Sequence, residues 1–192
     1  MKKILIGTHN QGKFREIAFL ISKKYEKISP KSLNIKSPVE TGKTFYSNSR
    51  LKVRYFSKLV NFPVISDDSG ICIKSLDNQP GVYSARFAKK HGGFHKAMRY
   101  ILRKLVKKNN RDAKFVCSLS YKYPNGKIIT VEGTIYGTIS KKILGKKGFG
   151  FDPIFIPSFS KKTFSQMSKR KKINSDHRFL AFRKLKKKIR TL

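Results

Sequence analysis

Two adjacent carboxylates, Asp67 and Asp68, follow the apolar run Phe62-Pro63-Val64-Ile65 and precede Ser69-Gly70. The chain has only 10 acidic residues against 45 Lys and Arg, so a neighbouring pair is conspicuous. Like charges at the end of a buried strand repel each other and lose hydration. A bound cation would remove both penalties, and oxygen donors favour a hard ion such as Mg²⁺, whose usual task is to manage phosphates. The same residues also suit an ordinary turn after a strand.

A second candidate site follows a short apolar strand near the N-terminus. A glycine-containing loop between a strand and a helix can bind phosphate, because free backbone N–H groups point at the anion. Only one glycine precedes the lysine here and no Ser or Thr follows it, so this is not a Walker A loop. A simple strand-to-helix turn would explain the segment equally well. The loop is Thr8-His9-Asn10-Gln11-Gly12-Lys13.

Glu40 is the third acid of interest, in a loop ahead of a helix that we predict over residues 44–59. On that helix Thr44, Asn48 and Lys52 recur every fourth residue and therefore share one polar face. Glu40 alone would be favourable near any helix N-terminus. As a metal ligand, however, it would complete a carboxylate cluster with the two aspartates.

The remaining pattern alternates between helices and strands. Apolar spacing predicts a helix over residues 14–21, and Asn-Gly between two alternating strands is a strong hairpin signal. Residues 78–93 are predicted to form a long loop. The other predictions are strands over 3–6, 62–68, 114–122 and 127–138 and helices carrying 97–105 and 179–189.

Length and composition favour one globular domain over residues 1–192, with 39% hydrophobic residues available for a core. No apolar run is long enough to cross a bilayer, and the N-terminal apolar segment is too short for a secretory signal. Cys72 and Cys117 fall in strand-like segments without metal-ligand spacing. We expect buried, reduced thiols in a cytoplasmic protein with no membrane partner.

The formal net charge of +35 raises the question of nucleic-acid binding. A dedicated binder usually concentrates its basic residues on one face and interleaves aromatic side chains. Here Lys is spread from Lys2 to Lys188, and the last basic run, 183–188, fits the solvated face of a helix. We therefore expect weak, salt-sensitive binding to nucleic acid but no specific nucleic-acid partner.

These segments closely resemble the inosine triphosphate pyrophosphatases, a family that hydrolyses non-canonical purine nucleoside triphosphates. The resemblance covers nearly the whole chain, and its two longest blocks are specific. The matching segments are 8–13, Glu40-Thr41-Gly42 with Phe45, Asn48 and Lys52, Asp67-Asp68-Ser69-Gly70-Ile71, Pro80-Gly81-Val82-Tyr83-Ser84-Ala85-Arg86, Gly148-Phe149-Gly150-Phe151-Asp152-Pro153, Thr163-Phe164, and Lys172 with His177-Arg178.

The resemblance implies a fold and a reaction. The fold would be an α/β architecture with an elongated mixed β-sheet flanked by helices, in two lobes with a central groove. The reaction would be Mg²⁺-dependent hydrolysis of ITP, dITP and XTP to the nucleoside monophosphate and pyrophosphate, which removes these nucleotides from the pool. The resemblance also implies a homodimer, with the loop over 78–93 as a candidate contact region.

Roles carry over residue by residue from the same resemblance. Asp68 would be the catalytic carboxylate, and Glu40, Asp67 and Asp68 would hold the metal ion. The triphosphate would be bound by Thr8, His9, Asn10, Gln11, Gly12, Lys13, Lys52 and Ser69. The base would be recognised by Phe149, Gly150, Phe151, Asp152, Lys172, His177 and Arg178, with Phe149 and Phe151 stacking and Arg178 donating to O6.

Three positions depart from the family pattern, and two alternatives stay open. Asp176 stands where the family commonly has Ser, Ile173 where it has Asn, and Gln166 where it favours Glu. Asp176 would either pair with His177 or Arg178 in the base pocket or cap the last helix. The alternatives are a basic nucleic-acid-binding protein without catalysis and a pyrophosphatase for modified pyrimidine nucleotides, against which the aromatic block at 149–152 argues.

Overall fold

In the computed structural model, which describes residues 1–189, strands and helices alternate along most of the chain. The strands are β1 Lys2–Ile6, β2 Tyr25–Ile28, β3 Val64–Ile73, β4 Gln79–Pro80, β5 Asp112–Lys122, β6 Ile128–Ile139 and β7 Phe155–Pro157. The helices are α1 Gln11–Leu20, α2 Phe45–Ser57, α3 Ser84–Lys90, α4 Phe94–Lys104, α5 Lys169–Ile173 and α6 His177–Lys188.

The strands form a seven-stranded sheet in the order β2-β1-β3-β5-β6-β7, and β4 pairs with β3. Strand β1 is parallel to both β2 and β3, whereas the β3–β4 and β6–β7 pairs are antiparallel. Parallel neighbours need crossover connections, which α1 and α2 provide on either side of β2 in the chain. A mixed sheet with helical crossovers confirms the predicted fold class.

The described chain divides into two compact units. The first unit comprises Met1–Asp68, Cys117–Gly133 and the chain from Arg178 onward, and the second comprises Ser69–Val116 and Thr134–His177. The prediction of one domain over 1–192 is not tested by this division and stays a prediction.

The core of the first unit follows from alternation along β1. Ile4 and Ile6 are buried in one cluster, with Ile17 of α1 and Leu185 of α6. Leu5 points the other way and lies in a second cluster, with Val53 and Phe56 of α2. Because successive side chains of a strand face opposite sides, helices cover both faces of this part of the sheet.

Aromatic side chains fill the core of the second unit. Phe115 of β5 lies 4.7 Å from Phe155 of β7 between ring centroids, and Phe155 lies 5.4 Å from Phe164. His177 stacks on Phe115 at 4.8 Å with an angle of 9° between the rings. These contacts fix the ends of the segments that carry the residues predicted to recognise the base.

Most predicted elements are present, with two corrections. The strand near the N-terminus, the helix over 14–21, the helix near 97–105, the hairpin strands and the last helix are confirmed as β1, α1, α4, β5, β6 and α6. The predicted loop over 78–93 is wrong, because it contains a 3-10 turn at Gly81–Tyr83 and helix α3. The turn alternative for Asp67-Asp68-Ser69-Gly70 is also wrong, because β3 continues through all four residues. Strand β2 was not predicted.

Both cysteines are buried and free, as predicted. Within residues 1–189, none of the helices has the length and apolar character that a bilayer crossing requires.

Candidate active site

Asp67 and Asp68 lie inside strand β3, where both side chains are almost fully shielded from solvent. Asp67 is 0% exposed and Asp68 is 4% exposed. Side chains of consecutive strand residues point to opposite faces, so the two carboxylates meet different partners. Each aspartate has its own lysine, which offsets the cost of burying a charge.

Helix α2 supplies the partners of Asp68. Thr44 caps the helix by accepting a hydrogen bond from the backbone N–H of Ser47, and the every-fourth-residue spacing then brings Asn48 and Lys52 to the same face. Nδ2 of Asn48 donates to Oδ2 of Asp68 at 3.0 Å. Nζ of Lys52 lies 3.8 Å from Oδ1 of Asp68 and donates to Oε1 of Glu40 at 2.5 Å. The Lys52 ammonium thus bridges two of the three predicted metal-binding acids.

Burial and neighbouring charges together set the pKa values of Asp68 and Lys52. Burial raises the pKa of Asp68 above its ordinary value, although the charges of Lys52 and Lys13 act in the opposite direction. Burial alone would lower the pKa of Lys52, but the charges of Asp68, Asp67 and Glu40 outweigh it, so the pKa of Lys52 is raised. The lysine therefore stays charged, while Asp68 holds its proton more readily than an exposed aspartate does.

Asp67 belongs to a second ion-pair network, which includes an acid that the sequence did not reveal. Oδ2 of Asp67 lies 3.4 Å from Nζ of Lys13 and accepts from Nε of Arg178 at 3.3 Å. Nη1 of Arg178 donates to Oε2 of Glu16 at 2.5 Å. Glu16, Arg178 and Asp67 are all at most 5% exposed. The predicted base-reading arginine is thus an ion-pair partner of the predicted metal site within the first unit.

The predicted phosphate loop connects β1 to α1 in the first unit. Asn10 is the N-cap of α1, and its side chain accepts from the backbone N–H of Lys13 at 3.0 Å. Thr8 is buried and its hydroxyl accepts from the backbone N–H of Asn10. His9 is directed elsewhere, with its ring nitrogens hydrogen-bonded at Ile35 and Ser37. From this loop, Lys13 reaches Asp67.

A separate group of predicted residues lies in the second unit around Lys172. Nζ of Lys172 is 2.7 Å from Oδ2 of Asp152 and lies over the ring of Phe149, 4.6 Å from its centroid. Oδ2 of Asp152 also accepts from the backbone N–H of Phe149 at 2.9 Å. The turn at 149–152 and helix α5 are therefore joined through one buried ammonium.

The two aromatic residues predicted to stack on a base have different surroundings. Phe151 is 3% exposed and packs edge-on against Phe94 at 5.2 Å, as a core residue does. Phe149 is only partly buried, and Nζ of Lys172 lies over its ring. His177 is 3% exposed and stacked in the aromatic core. These contacts leave Phe149 as the better stacking candidate.

Asp176 is buried beside Lys172. It is 0% exposed, it directly precedes α6, and its Oδ2 lies 3.9 Å from Nζ of Lys172. This ion pair with Lys172 was not predicted, and the predicted pairing with His177 or Arg178 stays a prediction. Gln166 has a structural role, because its Oε1 accepts from the backbone N–H of Thr163.

The three predicted metal-binding acids, Glu40, Asp67 and Asp68, do not form a ready metal site. Among residues 1–189, no group of three or more His, Cys, Asp or Glu side chains is placed to hold an ion. The donor chemistry nevertheless suits a hard cation, since Glu40, Asp67 and Asp68 offer only carboxylate oxygens.

Comparison with known proteins identifies the family. The model of the Ham1 family matches residues 4–188. The chain is 38% identical to a dITP/XTP pyrophosphatase of Caulobacter vibrioides, over 96% of each chain. It is 37% identical to that of Bacillus subtilis, over 97% of this chain and 96% of the relative. This chain belongs to the Ham1 family. Membership confirms the prediction of an enzyme, a hydrolase of phosphoric anhydride bonds.

Solved Ham1 structures have the same fold. The Staphylococcus aureus Ham1 protein has a TM-score of 0.87 at 34% identity, over 98% of both chains. A Ham1 protein from Coxiella burnetii has a TM-score of 0.88 at 28% identity, over 100% of both chains. The α/β arrangement seen in this Ham1 chain is therefore also that of its relatives.

Two residues of this Ham1 site were missed by the sequence-based site prediction. Asn48 could have been found, because its spacing from Thr44 and Lys52 puts it on the face that meets Asp68. Glu16 gave no such signal, since its partner Arg178 is 162 positions away in the chain.

Proposed function

We propose that this chain hydrolyses the non-canonical purine nucleoside triphosphates dITP, XTP and ITP to the nucleoside monophosphate and pyrophosphate. The observation that carries the proposal is the buried Asp67-Asp68 pair with a lysine on each carboxylate. The names of the two relatives above, both dITP/XTP pyrophosphatases, support the substrate class.

Asp68 is the base in this proposal. An ordinary aspartate is a weak base at neutral pH, and a base works best when its pKa lies closer to the working pH. Burial moves the pKa of Asp68 in that direction. Asn48 holds one oxygen of the carboxylate by its 3.0 Å hydrogen bond, which fixes the orientation of the group. Asp68 then accepts a proton from the water that attacks the α-phosphorus, and pyrophosphate leaves.

Lys13 and Lys52 bind the triphosphate. Lys13 is held by the buried Asp67, and Lys52 by the buried Asp68 and the partly exposed Glu40, before substrate arrives, so little rearrangement is needed when charge develops on the leaving pyrophosphate. The loop at 8–13 adds backbone N–H groups and the Thr8 hydroxyl, and Ser69 adds another hydroxyl. Removing either lysine would raise KM and lower kcat together.

Mg²⁺ is the proposed cofactor. Glu40, Asp67 and Asp68 would be its ligands, and because the three carboxylates do not converge within the described part of the chain, they would have to move together to hold the ion. When bound, the ion would supply charge neutralisation of the phosphates and a water of lowered pKa. The carboxylate-only donor set supports the proposal.

Residues of the second unit recognise the base. Phe149 offers an aromatic face, and Lys172 offers N–H donors to the carbonyl at position 6 of hypoxanthine or xanthine. Adenine has an amino group at that position and would leave the donors unsatisfied. We also propose that the protein is a homodimer and that it is located in the cytoplasm. Both of these proposals rest on the resemblance to the family.

Pyrophosphate release from dITP, XTP, ITP, dATP and dGTP tests the proposal, with and without Mg²⁺. The three non-canonical nucleotides should be cleaved with kcat/KM at least roughly tenfold above that for dATP, because one mismatched buried donor costs about 1–3 kcal/mol. Asp112→Asn is the control for Asp68→Asn, since Asp112 is an exposed acid outside this group. Orthophosphate as the product, or equal rates for all five nucleotides, would contradict the proposal.

A further inference from the structure

Helix α2 meets the sheet of the first unit through a buried group of hydroxyls. Oγ of Ser49 lies 3.0 Å from Oγ of Ser118 and 2.9 Å from Oγ of Ser120, two residues of β5. Oγ of Ser120 in turn lies 2.9 Å from Oγ1 of Thr130 on β6. Ser49, Ser118 and Ser120 are all 0% exposed. The contact between α2 and β5 at this point is therefore polar, in a place that solvent does not reach.

The hydrogen bonds among these hydroxyls run in one direction. Each hydroxyl has one proton to donate and two lone pairs that accept. Ser49 donates its proton to the backbone carbonyl of Tyr46 at 3.0 Å, so both serines of β5 must donate to Ser49. The proton of Ser120 is then used, and Thr130 must donate to Ser120. Ser49 is thus the acceptor on which both β5 serines depend.

Packing alone does not require a serine at position 49. Val53, one helical turn later on the same face, and Phe56 are 0% exposed and lie in the apolar cluster with Leu5. An apolar residue at position 49 would continue that stripe. Apolar contact is non-directional, whereas a fully satisfied polar network specifies one arrangement. The hydroxyls therefore fix the place of α2 on β5 more closely than an apolar stripe would.

The residue before Ser49 holds the proposed base. Asn48 is 0% exposed, accepts from the backbone N–H of Gly42 at 2.8 Å and donates to Oδ2 of Asp68 at 3.0 Å. Because the side chain of Asn48 is short, a displacement of α2 on the sheet changes the length of its bond to Asp68. Lys52, with its flexible four-carbon stem, can adjust to the same displacement.

We propose that Ser49 is a positioning residue for the proposed base, because its bonds to the two β5 serines hold α2 where Asn48 reaches Asp68. The inference rests on the proposed function. It predicts a split between the kinetic constants. A misplaced Asn48 impairs the base and lowers kcat, whereas Lys52 keeps its contact with the triphosphate and KM changes little.

The test separates positioning from stability. Ser49→Ala leaves two buried donors without their acceptor, so the melting temperature should fall by several degrees. A triple variant removes the donors and the acceptor together, which is nearly neutral for stability, so most of that loss should be recovered. The partly exposed Thr130 can then donate to water. The triple variant combines Ser49→Ala, Ser118→Ala and Ser120→Ala.

Steady-state kinetics with ITP, well below the lowest melting temperature, gives the deciding readout. In both variants kcat should be roughly tenfold below the wild type, with KM within about twofold of it. Val53→Ala is the matched control, because it destabilises the same face of α2 through a cavity and leaves the hydroxyls in place. Its melting temperature should also fall, with kcat as in the wild type. Wild-type kcat in the triple variant would overturn the inference, as would an equal loss of kcat in Val53→Ala.

Two single variants decide if the triple variant does not fold by circular dichroism. Ser120→Ala breaks the bonds to Ser49 and Thr130, whereas Ser118→Ala leaves the bond between Ser49 and Ser120 in place. The loss of kcat should therefore be larger in Ser120→Ala, and wild-type kcat in both would overturn the inference. A wild type that cleaves none of ITP, dITP and XTP would reject the proposed function itself, and the inference with it. An active wild type whose variants keep its kcat would reject the inference alone.

Discussion

Asp68, the proposed base, is a single residue whose burial shifts its pKa. Its carboxylate is 4% exposed and its pKa is raised by burial, so the charged form is less stable in the folded chain than in water. We expect Asp68→Asn to lower kcat by about 10²–10⁴-fold, the usual contribution of a positioned base. A pyrophosphate-release assay at saturating nucleotide checks this, and turnover equal to the wild type would remove Asp68 from the mechanism.

The same substitution should not harm folding. A carboxyl group whose folded-state pKa is raised contributes stability that is present below its unfolded pKa and is lost as the pH rises through the folded one. At neutral pH, without divalent ions, Asp68→Asn should therefore unfold at a higher temperature than the wild type. In acid, where Asp68 is protonated in both the folded and the unfolded state, the difference in melting temperature between the variant and the wild type should disappear. A lower melting temperature at neutral pH would show that the ion pair with Lys52 outweighs burial.

Glu16 balances part of the charge of the buried Arg178. Removing the charge of Glu16 therefore leaves the arginine with less compensation. Arg178 is 3% exposed and donates to both Glu16 and Asp67, so Glu16→Gln deprives a buried guanidinium of one counter-charge. We expect a loss of about 3 kcal/mol in the free energy of unfolding. Urea denaturation measures the loss, with Glu26→Gln on the exposed side of β2 as the matched control. Equal stability of the two variants would mean that Arg178 is held by its other contacts.

Among the secondary-structure elements, strand β3 holds the two aspartates of the candidate site. The packing of this strand depends on Gly70. A Cβ atom at Gly70 would overlap the carbonyl oxygen of Gly81 and the side chain of Ser84, both within the second unit. Ser84 itself is tied down, since its Oγ accepts from the backbone N–H of Ile71 and donates to the carbonyl of Gly81. Close packing of β3 against the turn at 81–83 therefore requires glycine.

Gly70→Ala should lower the free energy of unfolding by about 1–3 kcal/mol, the usual cost of overpacking. Thermal unfolding of the purified variant measures it. A second variant, Gly70→Ala with Ser84→Gly, removes the side-chain overlap but not the overlap with the carbonyl. It should not recover the wild-type melting temperature, and full recovery would place the strain on Ser84 alone.

The elements that sequence predicts well are those with a strong local pattern. The Asn125-Gly126 turn and the spacing of Ala97, Ile101 and Leu105 depend on neighbours in the chain, and both predictions are confirmed. Helix α3 is only seven residues long and follows Pro80-Gly81. Its short apolar pattern is a weaker signal than these turn-forming residues, which predict a loop. Strand β2 is four residues long and contains Glu26 and Lys27, and its pairing with β1 is what makes it a strand. Elements defined by tertiary pairing cannot be predicted from local spacing.

At the scale of the whole molecule, the formal net charge of +35 acts against the folded state through self-repulsion. We expect the melting temperature to rise with moderate NaCl, because the Debye length falls from about 30 Å at 0.01 M to about 8 Å at 0.15 M. Differential scanning fluorimetry across this range measures it. A variant with Lys23, Lys24 and Lys58 changed to Gln should show a smaller rise, since all three are exposed. A salt-independent melting temperature would show that the repulsion is too dispersed to matter.

The charge has a second consequence for substrate capture. A polyphosphate anion approaching a strongly basic surface is attracted over several ångströms, and salt screens that attraction. The kcat/KM for ITP should therefore fall between 0.01 M and 0.15 M NaCl by roughly threefold or more, with kcat nearly constant. Steady-state kinetics at fixed Mg²⁺ measures both parameters, and a kcat/KM independent of salt would contradict electrostatic steering.

The placement of Lys52 between Glu40 and Asp68 bears on how the enzyme is made. A cluster of buried acids would normally need its ion in order to fold, and the chain would then be unfolded wherever the ion is scarce. Here a side chain of the protein provides a cation at the acids from the outset. With the proposed Mg²⁺, folding and ion loading would be separate events, and chelation would stop turnover without unfolding the chain. The protein would then stay folded where the ion is scarce and would regain turnover when the ion is supplied again.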